Sequence, residues 1–182
     1  MEKNSLIKKY FVWIGLVICG SLLLSSCKDK DDNWNYAMSN QDFVNRAASS
    51  NNLEIAAGTL ARDKGTSETV KNYGIHMITD HTAAGQELKG LAAGKGWAVP
   101  EELAEKDRAE VNRLNTLTGA TFDREFAQLM VKSHQEAVAL FETASANNGI
   151  PDGDLRQWAA SKLPTLRHHL QEAITLRESL GQ

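Results

Sequence analysis

The sequence predicts an all-α protein, a bundle of four long helices and one shorter connecting helix. Apolar residues recur every three to four positions along five segments, which is the spacing of one face of a helix. No segment shows the strict alternation of apolar and polar residues that is typical of a half-buried strand. Glycine or proline marks the turns between the segments, so each periodic stretch is bounded by residues that interrupt helices.

Capping residues and glycine stops set the bounds of each predicted helix. Ser39 is a good N-cap for the first helix and Gly65 ends it, while Thr121 is the expected N-cap of the fourth. Residues 49–52 are weak helix formers, which leaves a local break open there, and Pro164 predicts a kink in the fifth helix. The predicted helices are 40–64, 67–95, 101–117, 122–147 and 154–180.

The connectivity has two alternatives at this point. If the second and fourth helices run parallel, the third is a return crossing ~25 Å long, and the result is a ferritin-like up-and-down helix bundle. If the third helix instead joins the core, the chain forms a simple up-and-down bundle of five helices. We expect the ferritin-like arrangement, with four long helices and one shorter connecting helix.

Composition places the chain among ordinary globular domains and argues against nucleic-acid binding. Of its 182 residues, 42% are hydrophobic and 24% are charged. The formal charge is −3, and the first 26 residues contribute +2 through three lysines and one glutamate, which leaves −5 for the rest. A mildly acidic chain without a basic patch is a poor ligand for the phosphate backbone, so we expect no nucleic-acid partner.

The N-terminal segment has the features of an export signal. A basic start precedes an apolar run of 14 residues at 11–24, which suits a signal-peptide core and is short for a membrane-spanning helix. The run ends in Leu24-Ser25-Ser26-Cys27, which resembles the lipobox of bacterial lipoproteins. That resemblance implies that the Cys27 thiol receives a diacylglycerol, with palmitate among the acyl chains, and that cleavage just before Cys27 leaves it as residue one of the mature protein. The alternative is an ordinary cleaved signal with an incidental cysteine.

A lipid anchor at Cys27 would determine the domain organisation and the cellular location of the protein. We expect a lipoprotein signal peptide at 1–26, a flexible tether at 27–38 and a bundle domain at 39–182. Two or three acyl chains anchor a protein stably, at ~0.8 kcal/mol for each buried CH₂. The membrane partner is then reached through lipidated Cys27, and the expected location is the cell envelope. Lys28 in place of aspartate favours the outer membrane, on its periplasmic or surface face.

Four titratable residues share an unusual position in the predicted bundle. Glu54, His81, His134 and His169 each fall on or beside the apolar stripe of a different long helix. Counted from the nearest turn at ~1.5 Å per residue, all four lie near mid-height, so we expect their polar atoms to converge. Bundle-core metal sites are built from inward carboxylates and imidazoles, and this donor set suits Zn, Fe or Cu. Asp80 is a candidate to orient one of the histidines from outside the ligand set.

The same four residues have a purely architectural alternative. A buried glutamate–histidine network can fix helix register without any ion. The Glu-x-x-His spacing of di-iron proteins is absent, because Ile78 and Leu166 stand three residues before His81 and His169. No catalytic motif was found either: there is no Gly-x-Ser-x-Gly, and Cys27 is the one cysteine of the expected mature chain. The sequence therefore predicts no catalytic residues.

The spacing of these residues along about 40–178 resembles a known family. The pattern is Glu54-Ile55, Asp80-His81, Phe122-Asp123, His134, Leu140-Phe141 and Leu163-Pro164 followed by His169-Leu170. It resembles DUF4142, a bacterial family of exported, ferritin-like helical domains of unknown function. The resemblance implies that the family's glutamate and three histidines correspond to the four residues above. The expected function is a membrane-anchored lipoprotein that binds a transition metal for redox or stress protection. The alternative is a structural or interaction lipoprotein with an architectural polar core.

Overall fold

The structure, a computed structural model, describes residues 35–181 of the chain. The predicted signal peptide at 1–26 and the predicted lipidation site Cys27 lie outside the described residues. Within the described part, no helix is both long enough and apolar enough to span a bilayer. Near the start of the described residues, the N–H groups of Ala37 and Met38 donate to the carbonyls of Asn148 and Gly149 at 2.8 and 3.1 Å.

The all-α prediction is confirmed. Between residues 35 and 181 the chain forms five helices and no strand. The long helices agree with the predicted ones to within about three residues at each end, which is the usual error of periodicity and capping rules. The helices are α1 (Asn40–Lys64), α2 (Glu68–Ala93), α3 (Glu105–Asn115), α4 (Gly119–Ser145) and α5 (Gly153–Ser179).

Two helices begin three to four residues away from their predicted starts, each because of a specific hydrogen bond. α4 begins at Gly119 rather than after Thr121, because the Thr118 carbonyl already accepts from the Phe122 N–H at 3.3 Å. α3 begins at Glu105 rather than at residue 101. The Ala104 N–H donates to the Ser49 side chain at 3.2 Å, so the preceding residues are bonded to α1 instead of forming a helical turn.

The weak helix formers at 49–52 do not break α1, which is continuous, and α5 likewise continues through Pro164. The polar side chains that compete with helical hydrogen bonding have distant partners instead. The Ser49 hydroxyl donates to Asp107 at 2.5 Å, and the Asn51 amide oxygen lies 3.2 Å from His81 Nδ1. Tertiary contacts therefore offset the low helix propensity of this segment.

The helices pair as two antiparallel hairpins, α1 with α2 and α4 with α5. The starts of α2 and α4 lie at the same end of the bundle, because the Asp123 carboxylate accepts from the N–H groups of Thr66 and Ser67, both at 3.0 Å. α2 and α4 are therefore parallel. This is the ferritin-like alternative, with the segment between them as the return crossing.

The return crossing is part extended chain and part helix. It follows α1 from one end to the other: Gln41 donates to the Ala98 carbonyl at 2.7 Å, and Lys64 donates to the Asn115 carbonyl. α3 itself has 11 residues and is ~16 Å long, shorter than the ~25 Å expected. The extended residues before it cover the remaining distance, since an extended residue spans ~3.3 Å.

The four-helix core consists of two apolar clusters separated by a polar layer. In each long helix, the buried glutamate or histidine lies where the chain passes from one cluster to the other. The polar layer therefore lies near the middle of the bundle's length, between the two apolar clusters. The larger side chains of the first cluster are Met77, Leu114, Phe122 and Phe126. Those of the second are Phe43, Leu88, Phe141 and Leu155.

A close backbone contact sets the packing of α1 against α2. A Cβ atom added to Gly58 would lie 2.7 Å from the Gly74 carbonyl oxygen, and a Cβ on Gly74 would lie 2.7 Å from the Gly58 carbonyl oxygen. Only glycine lets the two backbones approach this closely. The contact lies one helical turn from Glu54, so it helps to define how far α1 stands from α2 at the polar layer.

Candidate metal centre

The structure brings all four predicted residues together inside the bundle. The exposed fraction is 0% for Glu54 and His134, 1% for His169 and 7% for His81. The three imidazole rings form a triangle with centroid distances of 5.4, 5.5 and 5.8 Å. Each side chain comes from a different helix, so the site exists only when both hairpins pack.

The atoms that face the centre of this triangle are close together. Glu54 Oε2 lies 2.7 Å from His81 Nε2 and 2.9 Å from His134 Nε2. One ligand atom from each of the three histidines lies within 4.8 Å of the others. Both contacts of Glu54 join a carboxylate oxygen to an imidazole nitrogen, and each is a hydrogen bond only when that nitrogen carries a proton. Without those protons, Glu54 Oε2, His81 Nε2, His134 Nε2 and His169 Nδ1 are buried and have no hydrogen-bond partner among residues 35–181.

The outer nitrogens of His134 and His169 are held by acceptors. His134 Nδ1 lies 2.9 Å from the Met130 carbonyl oxygen, and His169 Nε2 lies 3.0 Å from Asp80 Oδ2. Both oxygens only accept, so each of these nitrogens carries the ring hydrogen and donates it. In a neutral ring the other nitrogen then has a free lone pair. Asp80 therefore accepts from the outer nitrogen of His169.

His81 and Glu54 are oriented in the same manner. His81 Nδ1 lies 3.2 Å from the Asn51 amide oxygen, which assigns the ring hydrogen to Nδ1 and the lone pair to Nε2. The Ser133 hydroxyl donates to Glu54 Oε1 at 2.6 Å, which leaves Oε2 directed at the histidines. Each of the four side chains therefore has a hydrogen-bond partner on the side away from the centre. Such partners orient the ligands in metal sites.

Sequence reasoning missed three of these supporting groups. Asn51 stands one helical turn before Glu54 on the same face, so its spacing offered a signal. Ser133 directly precedes His134, and adjacency along a helix does not by itself indicate a shared direction. Tyr73 donates its hydroxyl to the His169 carbonyl at 3.0 Å and so ties α2 to α5. Nothing in the sequence singles out that contact.

Burial and neighbouring charges shift the pKa values of Glu54, His134 and His169. Burial alone would raise the pKa of Glu54, but the imidazoles of His134 and His81 outweigh it and hold that pKa well below its usual range. Burial opposes protonation of His134, yet the Glu54 carboxylate raises its pKa overall. Burial, followed by the other two imidazoles, lowers the pKa of His169 to about 4. His169 is therefore neutral at pH 7, which is the form that binds metals.

A small cavity adjoins His81 and His169 on one side of the site. Its volume is about 50 Å³, more than the ~10–15 Å³ that one water molecule needs. Its lining combines polar groups of the site with apolar side chains of the second cluster: Asn51, Asp80, His81, His169, Phe141 and Trp158. Water or another small molecule therefore has room beside the converging donor atoms.

Comparisons with known proteins place the chain in a family and leave its chemistry open. A crystal structure of a DUF305 fragment from Deinococcus radiodurans has a similar fold, with a TM-score of 0.60 over 78% of this chain and 94% of that one. The two sequences are 22% identical, so this likeness concerns the fold alone. The search of curated proteins returned no match. The domain family described as "Domain of unknown function (DUF4142)" matches residues 27–176, and the chain therefore belongs to the DUF4142 family.

Proposed function

We propose that this protein binds a transition-metal ion through Glu54, His81, His134 and His169, as a lipid-anchored protein of the bacterial envelope. One observation carries the metal proposal: Glu54 Oε2, His81 Nε2, His134 Nε2 and His169 Nδ1 are buried without a hydrogen-bond partner among residues 35–181, and the three histidines each offer a ligand atom within 4.8 Å of the others. An unsatisfied buried polar atom costs ~1–3 kcal/mol. A cation at the centre would compensate all four donor atoms at once.

The donor chemistry favours a borderline transition metal. Three imidazoles and one carboxylate suit Zn, Fe or Cu better than Ca or Mg, which prefer oxygen ligands. Ligation requires donor atoms at ~2.0–2.2 Å from the ion, so the present short contacts open slightly as the ion enters. With iron or copper bound, the adjoining cavity gives small molecules a route to the ion, which supports a role in redox or stress protection.

The titration of the purified protein with Zn²⁺, Cu²⁺ and Fe²⁺ tests the site. A ligand that binds the folded state stabilises it by RT ln(1 + [L]/Kd), about 2.7 kcal/mol at 100 times Kd. We expect this increment in the wild type and its loss in His81→Ala. Leu88→Ala is the matched control, since it truncates a buried side chain of α2 outside the site. It should lower stability and keep the metal increment.

The anchor has its own test. Cys27→Ala should move the protein from the membrane fraction to the soluble fraction, and mass spectrometry of the wild type should find acyl chains on Cys27. A wild-type protein without acyl chains, together with unchanged fractionation of the variant, would refute the anchor and leave the metal site unaffected. Protease added to intact cells separates the surface face from the periplasmic face of the outer membrane.

A structural lipoprotein with an architectural polar core is the second candidate. It is favoured by the Ser133–Glu54 hydrogen bond at 2.6 Å and by the short distances from Glu54 to His81 and His134, which stabilise an ionised network without an ion. In that case none of the three metals changes the unfolding midpoint, and His81→Ala lowers stability by the same amount with and without metal.

A further inference from the structure

His169 has a second polar environment, on the side of its ring that faces away from the buried centre. Its Nε2 atom lies 3.0 Å from Asp80 Oδ2, and the same oxygen lies 3.3 Å from His76 Nε2. The ring centroids of His76 and His169 are 5.0 Å apart, and the ring planes meet at 79°. One oxygen of Asp80 therefore contacts one imidazole nitrogen from α2 and one from α5.

These three side chains are close enough together to share one ion. His76, Asp80 and His169 each offer one ligand atom, and these atoms all lie within 4.8 Å of one another. Ligands that lie ~2.0–2.2 Å from a common ion are at most ~4.4 Å apart, so the three atoms already stand near ligating distance. Two imidazoles and one carboxylate form a donor set that suits Zn, Fe or Cu.

The charge of Asp80 is not neutralised by a permanent cation. Among residues 35–181, the ion-pair partners of Asp80 are His76 and His169, and no lysine or arginine pairs with it. By contrast, Glu87 on the same helix pairs with Lys162. An added metal cation at Asp80 therefore meets negative charge without having to displace a lysine or an arginine.

The group can be reached from solvent and has a partner for the remaining nitrogen of His76. The side chains of His76 and Asp80 are 39% and 35% exposed, so an ion reaches them without unfolding of the bundle. With an ion at Nε2, the ring hydrogen of His76 lies on Nδ1, which is 3.4 Å from Glu172 Oε2. That oxygen is buried without a hydrogen-bond partner among residues 35–181, so it is free to accept this hydrogen.

We propose that His76 Nε2, Asp80 Oδ2 and His169 Nε2 bind a second transition-metal ion, and that His169 bridges this outer ion to the buried one. The outer ion takes the place of the hydrogen that His169 Nε2 donates to Asp80, and that proton leaves to solvent. His169 then binds one ion with each ring nitrogen, as an imidazolate. The bridge rests on the proposed function, whereas His76 and Asp80 serve the outer ion alone.

Copper loading of the purified full chain, with its two cysteine thiols blocked by N-ethylmaleimide, tests the number of ions and the bridge. Equilibrium dialysis counts the bound Cu²⁺, and the integrated electron paramagnetic resonance signal shows whether the ions are magnetically coupled. We expect two Cu²⁺ per wild-type chain and a signal well below the copper content, because a bridging imidazolate couples two Cu²⁺ ions antiferromagnetically. His76→Gln should bind one Cu²⁺, with a signal equal to its copper content.

Two further variants separate the sites, and circular dichroism checks that each variant keeps its helices. The double variant Glu54→Gln with His134→Gln should lose the buried ion and keep an uncoupled outer ion, with the hydrogen of His169 on Nδ1. His168→Gln is the matched control. His168 is a 67% exposed histidine whose ring centroid lies 6.5 Å from that of His169, and it is not among the proposed ligands. This variant should still bind two coupled ions.

The outcomes separate the outer site from the buried centre. One Cu²⁺ in the wild type, retained in His76→Gln and lost in the double variant, overturns the outer site and leaves the proposed function standing. One Cu²⁺ lost in His76→Gln and kept in the double variant supports the outer ligands but refutes the buried centre, and the bridge with it. Two ions with a full, uncoupled signal would refute the bridge, and loss of an ion in His168→Gln would contradict the choice of ligands. No bound Cu²⁺ at all would overturn both proposals.

Discussion

The contact between Gly58 and Gly74 predicts that Gly58→Ala destabilises the protein. The new Cβ would lie 2.7 Å from the Gly74 carbonyl oxygen, 3.3 Å from Ile78 Cγ1 and 3.4 Å from Met77 Cβ. The nearest of these atoms belongs to backbone, which has no rotamer to change. α1 and α2 must therefore move apart by several tenths of an ångström to restore ordinary contact.

The expected magnitude combines two terms. Overpacking a tight interface costs ~1–3 kcal/mol. Replacing glycine by alanine within a helix returns ~1 kcal/mol through helix propensity. Gly90→Ala, also in a helix, has nothing within 4 Å of its new Cβ and isolates the second term. Gly90→Ala should therefore stabilise the protein by ~1 kcal/mol, and Gly58→Ala should be less stable than Gly90→Ala by ~1–3 kcal/mol.

Urea denaturation and thermal unfolding, both followed by far-UV circular dichroism, measure the two variants against the wild type. At ~2–4 °C per kcal/mol for a domain of this size, the two variants should differ in Tm by ~2–12 °C. Because α1 carries Glu54 and α2 carries His81, Gly58→Ala should also weaken metal binding. Equal stabilisation by the two alanines would refute the inference that the backbone contact sets the spacing of α1 and α2.

Three further predictions concern the core, Asp80 and pH. Leu88→Ala and Phe141→Ala should each lower the free energy of unfolding by ~2–5 kcal/mol in chemical denaturation, because both side chains are buried in the second cluster; a cost near zero would mean that the helix face is misassigned. Asp80→Asn should weaken metal binding at the buried centre by roughly 10–100-fold in calorimetry, since it alters the acceptor that orients His169; unchanged affinity would remove Asp80 from that role. The lowered pKa of His169, about 4, means that the unfolded chain binds this proton at higher pH than the folded one, so its contribution to metal-free stability is full above about pH 6.5 and is lost as pH falls toward 4. Urea midpoints across that range should therefore fall less steeply in His169→Gln than in the wild type, and parallel pH profiles would contradict this.

The sequence by itself determined the helices and their inward faces. Helical periodicity and capping are local properties, so the four long helices agree closely with prediction. The start of α3 could not be predicted from local rules, because the bond from the Ala104 N–H to Ser49 on α1 decides it. The low helix propensity of residues 49–52 suggested a break in α1 that the structure does not have. Contacts with Asp107 and His81, which lie elsewhere in the chain, offset that low propensity.

The residues that form the polar layer could also be predicted from sequence. Glu54, His81, His134 and His169 each interrupt an apolar stripe, and distance from the nearest turn gives their height at ~1.5 Å per residue. Which nitrogen of each imidazole carries the hydrogen could not be predicted from sequence, because the tautomer depends on the acceptor next to the outer nitrogen. Those acceptors, such as the Met130 carbonyl, are set by side-chain direction in the folded bundle.

Only the tertiary structure decided the direction of α4. Periodicity tells which face of a helix is buried, but a stripe is equally apolar when the helix is reversed. The Asp123 carboxylate meets the N–H groups of Thr66 and Ser67, which makes α2 and α4 parallel and turns the segment between them into a return crossing along α1. The contacts of His76 with Glu172 and of Asp80 with His169 likewise depend on the packing of α2 beside α5, because the two residues of each pair lie about 90 positions apart in the chain.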